Sequence, residues 1–303
     1  MLYNVIGDIH GRTCWKNLVV PGAINIFVGD YFSPYDKNLS FEDCKRNFMD
    51  IVKFKNQYPD TILLLGNHDE DHWHWLGNGE RMTRHDYLHQ HDICELFETY
   101  KDLFVVAHSV NNQYIITHSG VSALWFYRTY LQYDGISKKN IPDYFCDLSD
   151  DFSEKCNTIK EAYEGLELYK QKNYIGYKAK LKPDDYNLFY WKGKWYESVD
   201  GCFKQIVFYP DFVANTVNEF WERRKNIFSW SVNATPGDYC GDSPTQSPMW
   251  IRPNALLCSN IFRGNAQYKQ VVGHTCFKEV TTHENIVFVD CLGNKEESFK
   301  FEC

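Results

Sequence analysis

Five short apolar runs, each stopping at an Asp, Asn or His, set the pattern of this chain. Leu2-Tyr-Asn-Val-Ile6 passes through Gly7 to Asp8 and His10, and Asn25-Ile-Phe-Val28 passes through Gly29 to Asp30. Thr61-Ile-Leu-Leu-Leu65 ends at Asn67 and His68, Tyr114-Ile-Ile-Thr117 at His118, and Gln270-Val-Val272 at His274. Runs this short with a Gly or polar exit predict buried strands. In open α/β sheets, ligand sites form just outside the carboxyl ends of the strands. The pattern therefore predicts that Asp8, His10, Asp30, Asn67, His68, His118 and His274 meet at one sheet edge.

The intervening segments predict helices. Ser40 reads as an N-cap, and Phe41, Cys44, Phe48, Ile51 and Val52 follow at helical spacing until Pro59. Strand, helix and strand in alternation indicate βαβ units. Arg12 to Asn25 leaves room for one brief turn before Pro21-Gly22. Beyond Asp69 the chain is polar and rich in His and Trp. There His72 and His74 alternate with Trp73 and Trp75, which predicts a surface strand or loop and no additional metal site. Ile93, Leu96, Phe97 and Tyr100 mark another helix. Strands near Phe104–Ala107 and Tyr114–Thr117 are expected to pair through a turn at Asn111-Asn112.

Residues 128–248 hold no strand of the recurring kind. One helical pattern there uses Cys156, Ile159, Tyr163 and Leu166, another uses Phe212, Val213, Val217, Phe220 and Trp221, and Asn233 to Pro248 reads as a loop. The aromatic and lysine-rich stretch Tyr174 to Trp195 reads as a β-rich part of the same region. The reading is a single domain over 1–303 with 128–248 inserted as a cap above the site. The core resumes at Met249-Trp-Ile-Arg252, and strands follow at Ile286–Asp290 and Ser298–Phe301.

Composition narrows the class. At 303 residues the chain is long enough for a full hydrophobic core. A net charge of -8 and a pI of 5.8 argue against a surface built to grip nucleic acid, so an anionic substrate would be held by a local site. The 11 cysteines are scattered without a C-x-x-C pair, which predicts free thiols in a reducing compartment. With no leader pattern and no run of transmembrane length, the expectation is a cytoplasmic protein without a membrane partner.

The residue types at the five exits point to metal chemistry. On an extended exit, Asp8 and His10 would point to the same side and hold one cation. Asp30 could bridge that ion to a second one, whose shell Asn67, His118 and His274 would complete. Mixed carboxylate, imidazole and amide donors suit Mn, Fe or Zn better than Ca or a structural zinc. Two ions about 3.5 to 4 Å apart activate a shared water and stabilise both the attacking and leaving oxygens at phosphorus. His68, beside Asn67, is then placed to serve as general acid.

In this order, Gly7-Asp-Ile-His-Gly11, Gly29-Asp30, Gly66-Asn-His-Asp69, His118-Ser-Gly120 and Gly273-His-Thr275 resemble the five motifs of the calcineurin-like metallophosphoesterases. The likeness is nearest to the branch of the phosphoprotein phosphatases and symmetric dinucleoside tetraphosphatases. It implies an α/β fold in which a two-sheet β-sandwich is flanked by helices. It implies Asp8, His10 and Asp30 on a first metal, Asp30, Asn67, His118 and His274 on a second, and His68 as the catalytic acid. Two divalent transition-metal ions, Mn foremost with Fe or Zn as alternatives, are the implied cofactors. Met249-Trp-Ile-Arg252 looks like the segment whose arginine contacts the substrate phosphate. The implied activity is hydrolysis of phosphomonoesters, on protein or small molecules, by a metal-bridging hydroxide. The alternatives are a phosphodiester or dinucleoside-polyphosphate hydrolase, an enzyme acting on nucleic-acid ends, or an inactive metal-binding scaffold.

One motif departs from the pattern. Where the protein phosphatases read GDxxDRG, this chain reads Gly29-Asp-Tyr-Phe-Ser-Pro34, without the acid that supports the histidine or the arginine that holds phosphate. Asp36 is the nearest substitute partner for His68, and Arg12 or Arg252 would have to take the phosphate.

Overall fold

A computed structural model describes residues 1–74, 84–132, 188–191, 194–199, 202–223, 241 and 243–303. The pattern Cys156–Leu166, most of the expected Asn233–Pro248 loop and Trp75 lie outside them. The first sheet contains β1 (Leu2–Ile6), β2 (Ile24–Phe27), β3 (Ile62–Leu64), β4 (Phe104–Val105) and β13 (Ser298–Glu302). Its order is β13-β1-β2-β3-β4, parallel from β1 to β4, with β13 antiparallel on β1. The second contains β5 (Ala107–Val110), β6 (Tyr114–Thr117), β10 (Lys269–Val272), β11 (Thr281–His283) and β12 (Ile286–Phe288). Its order is β11-β12-β10-β6-β5, with β6, β10 and β12 parallel. A third, antiparallel sheet joins β7 (Leu188–Trp191), β8 (Lys194–Val199) and β9 (Cys202–Ile206).

Strand alternation explains how the two large sheets stack. Val5, Ile26 and Leu64 from the first sheet and Ile116, Val271 and Val287 from the second share one buried aliphatic cluster, the interior of the sandwich. Their neighbours Ile6, Phe27, Leu63 and Ile115 face outward into an aromatic-rich layer formed with the helices. Both faces of each sheet are thus covered, as parallel strands require. The helices are α1 (Trp15–Leu18), α2 (Phe41–Gln57), α3 (Asn67–His74), α4 (Gln90–Thr99), α5 (Ala123–Gln132), α6 (Pro210–Arg223) and α7 (Pro253–Ser259). Helix α2 opens with a reciprocal capping box between Ser40 and Asp43 and buries Cys44, Phe48, Ile51 and Val52. On the other flank, Ala255 and Leu256 of α7 pack on Val272, Ile286 and Phe288.

Two local expectations are revised. Phe104–Ala107 is not one strand of a hairpin: Phe104–Val105 joins the first sheet, Val106 crosses between layers, and Ala107–Val110 pairs with β6 in the second. The turn at Asn111-Asn112 is as expected, with both residues at φ 50°. His72 to His74 belongs to helix α3, not to a surface strand or loop, and His72 and Trp73 are buried. Alternation over four residues mimicked a strand because the helix starts directly at the exit of β3.

Helix α6, inside the 128–248 interval, is tied to the second sheet. The Asn218 side chain accepts from Val106 N and Ala107 N, each at 3.1 Å, and donates to Ala107 O at 2.9 Å. Together these bonds satisfy the backbone where the chain changes sheets. Asn218→Ala should therefore destabilise the protein by about 1–3 kcal/mol, read from its denaturant midpoint. An unchanged midpoint would show that this bridge contributes nothing.

Of the cysteines among the described residues, seven are free thiols; Cys44 and Cys291 are buried, and Cys258 and Cys276 are exposed. Among the described residues no helix is long and apolar enough to cross a membrane.

Candidate metal centre

The parallel strands bring all five exits to one edge of the sandwich. Asp8, His10, Asp30, Asn67, His68, His118 and His274 are all buried there, none more than 8 % exposed. Asp8 and His10 do not converge by strand alternation, because β1 has ended at Ile6 and His10 sits at φ 44°. The exit is held to the next one by backbone bonds from Ile9 N to Gly29 O and from Gly11 N to Tyr31 O. Asp30 and His274 also take left-handed backbone, at φ 54° and 64°. Such conformations are uncommon in non-glycine residues, and three at strand exits mark a site held under strain.

Asp69 fixes two exits to each other. Its carboxylate accepts from Gly66 N (2.9 Å), Asp30 N (2.7 Å) and Tyr31 N (2.9 Å). Asp30 Oδ1 in turn accepts from His68 N at 2.9 Å. Asp8 is held by His274 N, 3.1 and 3.0 Å from its two oxygens. A glycine is required at position 66, where a Cβ would overlap the Asp30 carboxylate.

The imidazoles are oriented by carbonyls, which fixes their tautomers. His10 Nδ1 lies 3.1 Å from Phe32 O and 3.0 Å from Ser33 O, and His118 Nδ1 lies 2.8 Å from Val28 O. Carbonyls only accept, so each Nδ1 carries the proton. Burial lowers His10 to a pKa of about 3 and His118 to about 4, so both rings are neutral and each Nε2 is a bare lone pair. These lone pairs face acceptors: His10 Nε2 is 3.4 Å and His118 Nε2 3.6 Å from Asp30 Oδ2, and His118 Nε2 is 2.8 Å from Asn67 Oδ1. His274 Nδ1 is 2.9 Å from that same Asn67 Oδ1, and its Nε2 is buried without a hydrogen-bond partner.

Converging lone pairs without protons between them fit divalent cations. The carboxyls say the same: burial raises Asp8 well above its usual range and Asp30 to about 7. The potential ligand atoms of Asp8, Asp30 and His118 lie within 4.8 Å of one another. Sequence reasoning passed over Asp290 although it ends the β12 segment in the same way as the other exits. It is buried, hydrogen-bonded to Asp8, and raised by burial.

Around this centre stand three half-buried arginines. Arg12 donates to Asp8 O at 3.2 Å, and Arg252 donates to Thr275 Oγ1 at 3.2 Å beside His274. The third, Arg84, lies 3.1 Å from His68 Nε2. Asp36 is not the partner of His68: it is exposed, and its carboxylate accepts from Asn38. Ser33 Oγ is buried without a partner, and the residue serves through its carbonyl on His10. Asp71, His72 and His85 also gather, but His85 Nδ1 is bonded to Asp71. The His72 and His85 rings stack at 4.4 Å and 5°. Parallel stacked rings cannot both point a lone pair at one ion, so this cluster is not a second centre.

No family model matches the chain. No curated protein matches it. Among solved structures, it is similar to a serine/threonine phosphatase from Saccharomyces cerevisiae described by its similarity to human phosphatase PP5. That likeness has 22% identity and a TM-score of 0.29, over 40% of this chain and 38% of that one. The chain thus matches less than two-fifths of that neighbour's length. It is also similar to a cold-active protein tyrosine phosphatase at 12% identity and a TM-score of 0.41, over 96% of this chain and 71% of that one. At these scores, the reading of the site rests on the chain's own geometry.

Proposed function

We propose that the protein is a metal-dependent phosphoesterase that hydrolyses phosphomonoesters of proteins or small molecules. The observation that carries this reading is the meeting of the His10 and His118 Nε2 lone pairs at Asp30 Oδ2, 3.4 and 3.6 Å away. Asp8, His10 and Asp30 would hold one divalent ion, and Asp30, Asn67, His118 and His274 a second. Mn is the first choice and Fe or Zn the alternatives. When bound, the ions supply Lewis acidity, which makes water nucleophilic near neutral pH and offsets charge on the phosphoryl oxygens.

The remaining roles belong to the side chains. Asp30, with Oδ1 fixed by His68 N, keeps its other oxygen directed at both imidazoles. Burial keeps the free His68 ring neutral, and its Nε2 now accepts from Arg84. Once Arg84 turns to the phosphate, His68 would first take up a proton from solvent at Nε2 and then pass it to the leaving alkoxide. Arg12, bonded to Asp8 O, and Arg252, beside His274, add positive charge at the centre and favour an anionic substrate. Burial of the whole set strengthens each of these interactions.

The test is turnover by manganese-loaded protein of an activated aryl phosphomonoester against the matching diester. Monoester preference is expected. Diester preference would transfer the reading to phosphodiesters or dinucleoside polyphosphates, and no turnover of either with metal bound would end the hydrolase reading.

A further inference from the structure

We propose that Arg84, held in place by Tyr35, grips the substrate's phosphoryl group and replaces the arginine missing from the second motif; this rests on the phosphoesterase reading. Where that arginine is expected, the chain carries Ser33-Pro34-Tyr35. Proline has no charge to offer, but the next residue recruits one from a distant loop. The Arg84 guanidinium carbon lies 3.5 Å from the centre of the Tyr35 ring, within cation–π contact. The edge of the same ring meets His10 at 4.7 Å between centroids, so the tyrosine links the guanidinium to the metal centre.

Three features of Arg84 call for an anion. Its Nε is buried without a hydrogen-bond partner, a state that costs free energy until an acceptor arrives. Among the described residues no carboxylate forms an ion pair with it, although its charge bears on His10, Asp30 and His68. Its backbone is left-handed at φ 69°, a strained conformation for a long side chain that needs a compensating role. Its side chain is hydrogen-bonded to Tyr35, and its NH2, 3.1 Å from His68 Nε2, aims the planar fork at the atom that must face the scissile ester oxygen. A phosphoryl group there would take two guanidinium N–H bonds, the geometry for which arginine is suited and lysine is not. Arg84 would leave His68 Nε2 as it turned to the phosphate. Tyr35 is 51% exposed, so the cradle opens to solvent at the mouth of the site.

Orthophosphate tests the grip without turnover. Its dissociation constant for the manganese-loaded full chain is measured by calorimetry in wild type, Arg84→Ala, Arg84→Lys, Tyr35→Ala and the Arg84→Ala/Tyr35→Ala pair. Arg84→Ala should weaken phosphate roughly ten- to a hundredfold, and Arg84→Lys by less. Tyr35→Ala should reproduce most of the Arg84→Ala loss, and the pair should be no weaker than Arg84→Ala alone, because the tyrosine acts through the arginine. Unchanged affinity in folded Arg84→Ala, or losses that multiply in the pair, would overturn the proposal. If Arg84→Ala does not fold, Arg84→Lys and Tyr35→Ala decide it by the same criterion: weaker binding in both supports the grip, and wild-type affinity in either overturns it. Wild type that binds phosphate through Arg84 yet hydrolyses no ester would support the grip and remove the hydrolase reading. An active wild type with Arg84-independent phosphate binding would do the reverse.

Discussion

Asp30→Asn should yield folded protein that retains little divalent metal and hydrolyses an aryl phosphomonoester about a thousandfold more slowly, or worse. The carboxylate has two separate tasks. Oδ1 accepts from His68 N at 2.9 Å, and Oδ2 stands between two imidazole lone pairs. An amide can keep the first contact through its oxygen, so the exits of β2 and β3 stay joined. Its NH2 group would then donate to the His10 and His118 Nε2 atoms and satisfy by hydrogen bonds what a cation would otherwise satisfy. The site would close upon itself, and the several kcal/mol that metal ions contribute to such a transition state would be lost. Metal analysis of the purified variant beside its turnover checks this. Full metal content with normal turnover would remove Asp30 from the centre.

His68→Ala should behave differently, with metal content unchanged and turnover falling by an amount that depends on the leaving group. Proton transfer by a positioned side chain contributes roughly 10² to 10⁴. An alkyl phosphate, whose alkoxide needs the proton, should lose that full factor. A nitrophenyl phosphate, whose phenolate leaves without help, should lose far less. The structure separates the two functions because only the backbone N of His68 touches Asp30, whereas its ring meets Arg84. Rates for both esters with wild type and variant supply the check. Equal losses on the two, or loss of metal, would make His68 a positioning residue.

Much of this site is legible in the sequence because each functional residue follows a run whose hydrophobicity alone predicts a buried strand. Asp8, Asp30, Asn67, His118 and His274 sit within three residues of a strand end, so locating strands located them too. Asp290 follows Val289 after β12 in the same manner and could have been found by the same signal. Arg84 could not. It reaches His68 across 16 positions of sequence, and its link to Tyr35 is a stacking contact that leaves no periodic trace. The strand-like reading of His72–His74 failed for a related reason: burial of His72 and Trp73 follows from helix α3 beginning at a motif that resembles a turn. The division of Phe104–Val110 between two sheets was hidden as well, since an apolar stretch does not reveal which sheet each half joins.

The three backbone N–H groups that converge on the Asp69 carboxylate make the second and third exits one mechanical part. Neither loop can be transplanted alone into another protein, nor drift alone over generations, without stranding donors in a place water cannot reach. Exchange between related chains would have to carry β2, β3 and both their exits as a single inherited block.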